Sequence, residues 1–207
     1  MLADGLGGLQ NGRDASELAV GQIEASWQPR KDEGLEAWLT NQFQKANQLL
    51  AEYAAKKNAK VRTTLVVLRI HGLRAAWAHT GDSRLYYIHK GRIAHITADH
   101  SVAYKKYKAG EISRSEISKD EDQSSLLRTL GGAERWEPDT ASSDIEAGDA
   151  FFLCSDGFWE YVRDHEILFE YLKSGSAREW TERLLVKLLS RVRENNDNLS
   201  AIAVFVE

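Results

Sequence analysis

The feature that most restricts how this chain can fold is a change of hydrophobic period. Between residues 35 and 53 the apolar side chains fall at Leu35, Trp38, Leu39, Phe43, Ala46, Leu49, Leu50 and Tyr53. That i, i+3, i+4, i+7 spacing gives one buried stripe on an amphipathic helix. From residue 63 the pattern changes. Segments 63–70 and 73–80 are rich in β-branched and apolar residues and meet at His71-Gly72, and segments 85–89 and 92–97 meet at Lys90-Gly91. Each pair reads as a hairpin, and the four together predict an antiparallel meander rather than a βαβ sheet. Helices with one apolar stripe and hairpins with one apolar face bury them against each other, which defines an α+β fold.

The other segments extend that pattern. A first helix is expected from about Asp14, with Leu18, Ala19, Ile23 and Trp27 on one face, and Pro29 ends it. Asp32 is placed to cap the long helix. Downstream we expect a helix over 101–110, an exposed polar loop or flap over 111–125, and a short helix over 126–130 that stops at Gly131-Gly132. Segments 139–143 and 149–154 read as a strand pair around Ala147-Gly148, followed by helices over 158–162, 165–173 and 177–194 and a last strand over 199–206. No stretch has the composition of a linker, so residues 1–207 are expected to form one domain.

Composition removes several classes of function. Lys and Arg number 27 against 31 Asp and Glu, a net charge of −4, which opposes a dedicated nucleic-acid binder. The single cysteine, Cys154, excludes an internal disulfide framework and a cysteine-rich zinc site. No apolar run approaches the length of a membrane span, and the residues after Met1 do not read as a signal peptide. The expectation is a cytoplasmic protein. Gly5–Gly8 match neither a P-loop nor a dinucleotide fingerprint. A thiol phosphatase would need an arginine six residues after Cys154, where Glu160 stands. His79, His95 and His100 lack zinc spacing, and Arg84 is expected to pair with a carboxylate.

A recurrent device carries the chemistry. Asp4 precedes Gly5, Asp82 follows Gly81, Asp156 precedes Gly157 and Asp197 precedes Asn198, each beside a turn or strand end. Any one of these alone is an ordinary turn. If the strands lie side by side, however, the carboxylates converge, and converging carboxylates need cations, for which Mg²⁺ or Mn²⁺ is the natural guest of hard oxygen ligands. The surrounding blocks occur in order: Ala3-Asp4-Gly5-Leu6-Gly7-Gly8, Gly81-Asp82-Ser83-Arg84, Asp99-His100-Ser101, Leu127-Arg128-Thr129-Leu130-Gly131, Leu153-Cys154-Ser155-Asp156-Gly157 and Asp197-Asn198-Leu199. Together they resemble the signature blocks of the metal-dependent protein phosphatases of the 2C type, in the bacterial serine/threonine branch of that (PPM) family.

The resemblance implies a four-layer αββα sandwich of two antiparallel sheets flanked by helices. It implies that Asp4 bridges two Mn²⁺ or Mg²⁺ ions and that the Gly5 carbonyl reaches the second. Asp156 and Asp197 complete the shell of the first ion, and Asp82 with Asp156 holds a third. Residues 98–130 correspond to the family's flap, which influences substrate choice. The implied activity is hydrolysis of phosphoserine and phosphothreonine in proteins, with a serine/threonine kinase or its target as partner. The chain departs from the family pattern at its start. Only Met1-Leu2-Ala3 precede Asp4, so the first strand or strands, a phosphate-gripping arginine and an acid near the second ion have no counterpart. That departure motivates the alternative of a catalytically impaired binding or regulatory module. A phosphohydrolase of small molecules is a third reading.

Overall fold

The structure is a computed structural model that describes residues 1–6, 9–27, 34–132, 137–192 and 197–207. The elements in chain order begin with β1 (Gly5–Leu6), α1 (Leu9–Ser26), α2 (Leu35–Lys57), β2 (Arg62–Thr63), β3 (Leu65–His71), β4 (Arg74–Thr80), β5 (Arg84–His89) and β6 (Arg92–Ile96). They continue with α3 (Val102–Ala109), a 3₁₀ turn (Arg114–Lys119), β7 (Asp139–Asp144), β8 (Ala150–Cys154), α4 (Asp156–Trp159), α5 (Asp164–Leu172), α6 (Ala177–Leu189) and β9 (Ala201–Phe205). Contacts divide the chain into two compact units. The first comprises Met1–Ser83, Asp99–Ser101 and Leu126–Asp144, and the second Arg84–Ala98, Val102–Ser125 and Ile145–Glu207.

In the first unit α2 follows the predicted stripe, with Leu35, Trp38, Leu39, Phe43, Ala46 and Leu50 all buried. They pack with Ala15, Ala19 and Ile23 of α1 against Leu65, Val67, Ala76 and Ala78 of the sheet. That sheet is antiparallel in the order β3-β4-β7. Burial of these side chains, at about 1.5–3 kcal/mol each, is what holds the helices down. A two-stranded piece, β1 with β2, pairs Gly5 with Thr63. The second unit carries a four-stranded antiparallel sheet in the order β6-β5-β8-β9. Its core joins Tyr86, Ile88, Phe152 and Cys154 to Ile167, Trp180, Leu184 and Leu188 from α5 and α6. The β5–β6 turn is tight, with Lys90 and Gly91 at φ +50° and +70°, the pair of left-handed residues a type I′ hairpin needs.

The antiparallel helix-and-sheet character is as expected, but three local expectations fail. First, the four strands form no continuous meander. The outer side of β4 pairs with β7 and that of β5 with β8, so the two hairpins belong to different sheets. For the same reason segments 139–143 and 149–154 pair with other strands and not with each other. Second, residues 126–130 form no helix. Leu126 bridges Ser101, and Leu130 exchanges hydrogen bonds with Thr63 at 3.3 and 2.9 Å, which satisfies the backbone without a helical turn. Gly131 makes this possible. Its φ is +75°, and a Cβ there would stand 2.1 Å from the Val61 carbonyl oxygen. Third, α1 begins at Leu9 rather than near Asp14. Pro29 and Asp32, the expected stop and cap, lie outside the described residues. Among the described residues no helix is long and apolar enough to cross a membrane.

Candidate functional site

In the first unit the acidic turns are organised around Thr64. The Asp4 amide donates to Thr64 Oγ1 at 3.0 Å, the Thr64 amide donates to the Asp4 carbonyl at 2.8 Å, and the Thr63 hydroxyl donates to the same carbonyl at 2.8 Å. Thr64 Oγ1 also lies 2.7 Å from Ser83 Oγ. Because Leu65 pairs with Thr80, the start of β3 lies beside the end of β4. The register therefore brings Gly81 and Asp82 to the segment that holds Asp4. Gly81 has φ +93°, and a Cβ there would meet Thr64 Cγ2 at 2.6 Å. Gly5 is equally constrained, since its Cβ would fall 1.9 Å from the Gly12 carbonyl oxygen. Asp82 is buried, with 4% exposure, whereas Asp4 is half-buried.

In the second unit Cys154 pairs with Ala201, so the end of β8 and the start of β9 lie at one end of the sheet. Two contacts clamp the loops there. The Ser155 amide donates to the Ser200 carbonyl, and the Ser200 amide donates to Ser155 Oγ, each at 3.1 Å. Gly157 comes so close to the opposite loop that a Cβ would stand 2.5 Å from the Asn198 carbonyl oxygen. Asp156 Oδ1 accepts from the Gly157 amide and Asp197 Oδ1 from the Asn198 amide, both at 2.7 Å. The residue that the sequence reading missed is Glu160. Burial, with the charges of Asp156 and then Asp197, pushes its carboxyl up to about 7. Gln123 Nε2 donates to it at 2.6 Å. In sequence Asp156 and Glu160 merely stand four residues apart, one helical turn, and neither the burial of Glu160 nor the approach of Asp197 is visible there. Asp156, Asp197 and Glu160 together form a hard-oxygen set whose chemistry fits a divalent cation.

A second cluster, unexpected from sequence, gathers His79, His100 and Asp139. The two imidazoles stack at 4.7 Å. His100 Nδ1 accepts from the Gly81 amide at 3.1 Å. That contact fixes the proton of the neutral ring on Nε2, which lies 3.2 Å from Asp139 Oδ2. A metal on Nε2 would force Nδ1–H against an amide N–H, so this trio is built as a histidine–carboxylate contact and not as a metal centre. Burial, then the neighbouring His79, lowers the His100 pKa to about 4. Arg84 behaves as expected. Its Nη1 stands 3.7 Å from Asp164 Oδ1, and its guanidinium lies 3.7 Å from the centre of the Trp159 ring. Cys154 is a buried free thiol within β8.

Comparison with known proteins places this geometry in a class. Residues 1–196 match the protein phosphatase 2C family, and the chain belongs to that family. The serine/threonine phosphatase stp of Listeria welshimeri is 31% identical over 203 residues, which cover 95% of this chain and 80% of that protein. A bacterial serine phosphatase of known crystal structure superposes with a TM-score of 0.89 at 27% identity over 99% of this chain and 84% of that one. The catalytic domain of the phosphatase PstP, solved with two manganese ions, gives a TM-score of 0.85 at 27% identity over 99% and 86% of the two chains.

Proposed function

We infer that this protein is a Mn²⁺- or Mg²⁺-dependent serine/threonine protein phosphatase. The observation that carries the reading is the match to the phosphatase 2C family over residues 1–196, supported by the Asp156 and Asp197 loops clamped together through Ser155 and Ser200. We assign Asp4, the Gly5 carbonyl, Asp82, Asp156 and Asp197 as the metal-ligating groups, in accord with the signature blocks that contain them. When bound, such ions polarise a phosphate ester and lower the pKa of the attacking water.

The chain's own residues position and tune. The Gly157 and Asn198 amides hold one oxygen of Asp156 and of Asp197 in place, so both carboxylates meet a cation without reorganising. Thr64 fixes the backbone on which Asp4 and Gly5 sit. The reading extends to a phosphorylated bacterial protein as substrate, a serine/threonine kinase or its target as partner, and action in the cytoplasm, where a reducing environment suits the free thiol of Cys154.

The test is phosphate release from a phosphothreonine peptide by dialysed protein. Release should depend on added Mn²⁺ and stop with EDTA. Turnover that resists EDTA, or that survives Asp156→Ala, would overturn the reading. Faster hydrolysis of small phosphate esters than of any phosphopeptide would redirect it to a small-molecule substrate.

A further inference from the structure

The second unit contains a cavity of about 620 Å³ between the 3₁₀ turn Arg114–Lys119 and the segment joining α4 to α5. Basic residues in its wall outnumber acidic ones five to three, and the pairing among them decides what the cavity lacks. Arg191 is fully matched, because Glu166 accepts from both of its terminal nitrogens at 2.7 Å. Asp164 is oversubscribed. It accepts from Arg114 Nε at 2.5 Å and from the Tyr86 hydroxyl at 2.8 Å, and Arg84 Nη1 stands 3.7 Å away. Two guanidinium groups therefore face one carboxylate in a partly desolvated place, where charge is weakly screened.

Arg114 Nη2 is buried and has no hydrogen-bond partner. A buried donor without an acceptor is costly, and a bound anion is one group that would satisfy it. A guanidinium presents donors in a planar fork that matches a phosphate or carboxylate. Lys119 and Arg163, both exposed, add positive charge at the rim. Trp159 and Glu160 line the same cavity at the end of α4, the helix that begins at Asp156, so the pocket lies one helical turn from a carboxylate assigned to metal.

We propose that this cavity is an oxyanion pocket that receives a second acidic group of the phosphoprotein substrate, with Arg114 as the residue that grips it. The proposal rests on the phosphatase reading and deepens it. It makes the enzyme selective for phosphorylated sites flanked by another phosphate or by an acidic side chain.

The test compares three peptides that share one phosphothreonine: one with neutral flanks, one with a second phosphoserine and one with glutamates in its place. Mn²⁺-loaded wild type should favour the two acidic peptides in kcat/KM, and the two arms show which oxyanion is preferred. Arg114→Gln should collapse that preference about tenfold, mainly through KM, as expected when about 1.4 kcal/mol of binding is removed. Arg114→Lys should keep part of it. Because Arg114 also braces Asp164, the exposed pair Lys119→Ala with Arg163→Ala provides a second route and should lower the preference about threefold, an effect that fades in high salt. No preference in wild type, or a preference untouched by every variant, overturns the pocket. Anisotropy titration of the EDTA-treated protein with the doubly phosphorylated peptide separates the two failures. Binding weakened by Arg114→Gln supports the pocket even if nothing is hydrolysed, and absence of turnover on all three peptides would count against the phosphatase reading alone.

Discussion

Asp82 and Asp197 make an instructive pair. Both are single acids beside a small turn residue at a strand end, and both are assigned to metal. Asp82 is 4% exposed, in a turn whose glycine packs on Thr64. Asp197 is exposed, at the entrance to β9. An acid in the first setting is coupled to the fold, because its removal disturbs a packed turn. In the second it is coupled mainly to chemistry, since exposed substitutions away from such features usually move stability by no more than about 0.5 kcal/mol. Local sequence is alike at the two places, so it is burial that separates what each contributes to the fold.

The largest effect should divide activity from stability. Asp197→Ala should lower phosphopeptide turnover more than about 100-fold, beyond the range seen when a residue merely supporting a ligand is lost, while its denaturation midpoint stays at the wild-type value. Asp82→Ala should lower turnover and also destabilise the protein by about 1–3 kcal/mol, the cost of disturbing buried polar groups. Parallel assays and urea unfolding check both. A large loss of stability in Asp197→Ala would erase the contrast.

A smaller effect concerns the buried turn under acid. His100 has its pKa lowered to about 4 from an ordinary 6.5 by burial and by His79, with Arg128 lowering it further and Asp139 opposing. The unfolded chain therefore binds the His100 proton more readily than the folded chain between pH 6.5 and 4. Stability is fully present above 6.5 and declines as pH falls toward 4, by roughly 2 kcal/mol from pH 7 to pH 5. Urea unfolding at the two pH values should show this slope in wild type and a flatter one in His100→Gln.

The smallest effects compare the two glycines. Gly81→Ala forces a side chain to adopt φ +93° and to meet Thr64, which should cost about 1–2 kcal/mol in unfolding free energy. Gly157→Ala meets the Asn198 carbonyl and should cost about as much as a packed-core insertion of one methyl, ~1 kcal/mol. Because it pushes the Asp197 loop away from Asp156, its turnover should fall further than its stability implies. Equal ratios of activity to stability in the two variants would show that the Asp156–Asp197 clamp does not matter to the chemistry.

Much of this was legible in the residues. The stripe of α2 and the two tight hairpin turns follow from local pattern, since side-chain period and left-handed glycines are set by neighbours in sequence. The acidic residues were visible for the same reason, each beside a turn. Three things were not. The division of the hairpins between two sheets depends on β7 and β8, which compete for the open sides of β4 and β5 from more than fifty residues away. The refusal of residues 126–130 to form a helix depends on Thr63 and Ser101, which offer their backbone instead. Glu160 looks in sequence like any surface acid of a short helix. The sequence by itself thus determined most of the elements, the acidic turns and the family, because these are written in local spacing. Only tertiary structure decided which acid is buried, which carboxyl titrates near neutrality and where Arg114 is left with a donor to spare. Burial and charge pairing are properties of neighbours in space, and register between distant strands selects those neighbours.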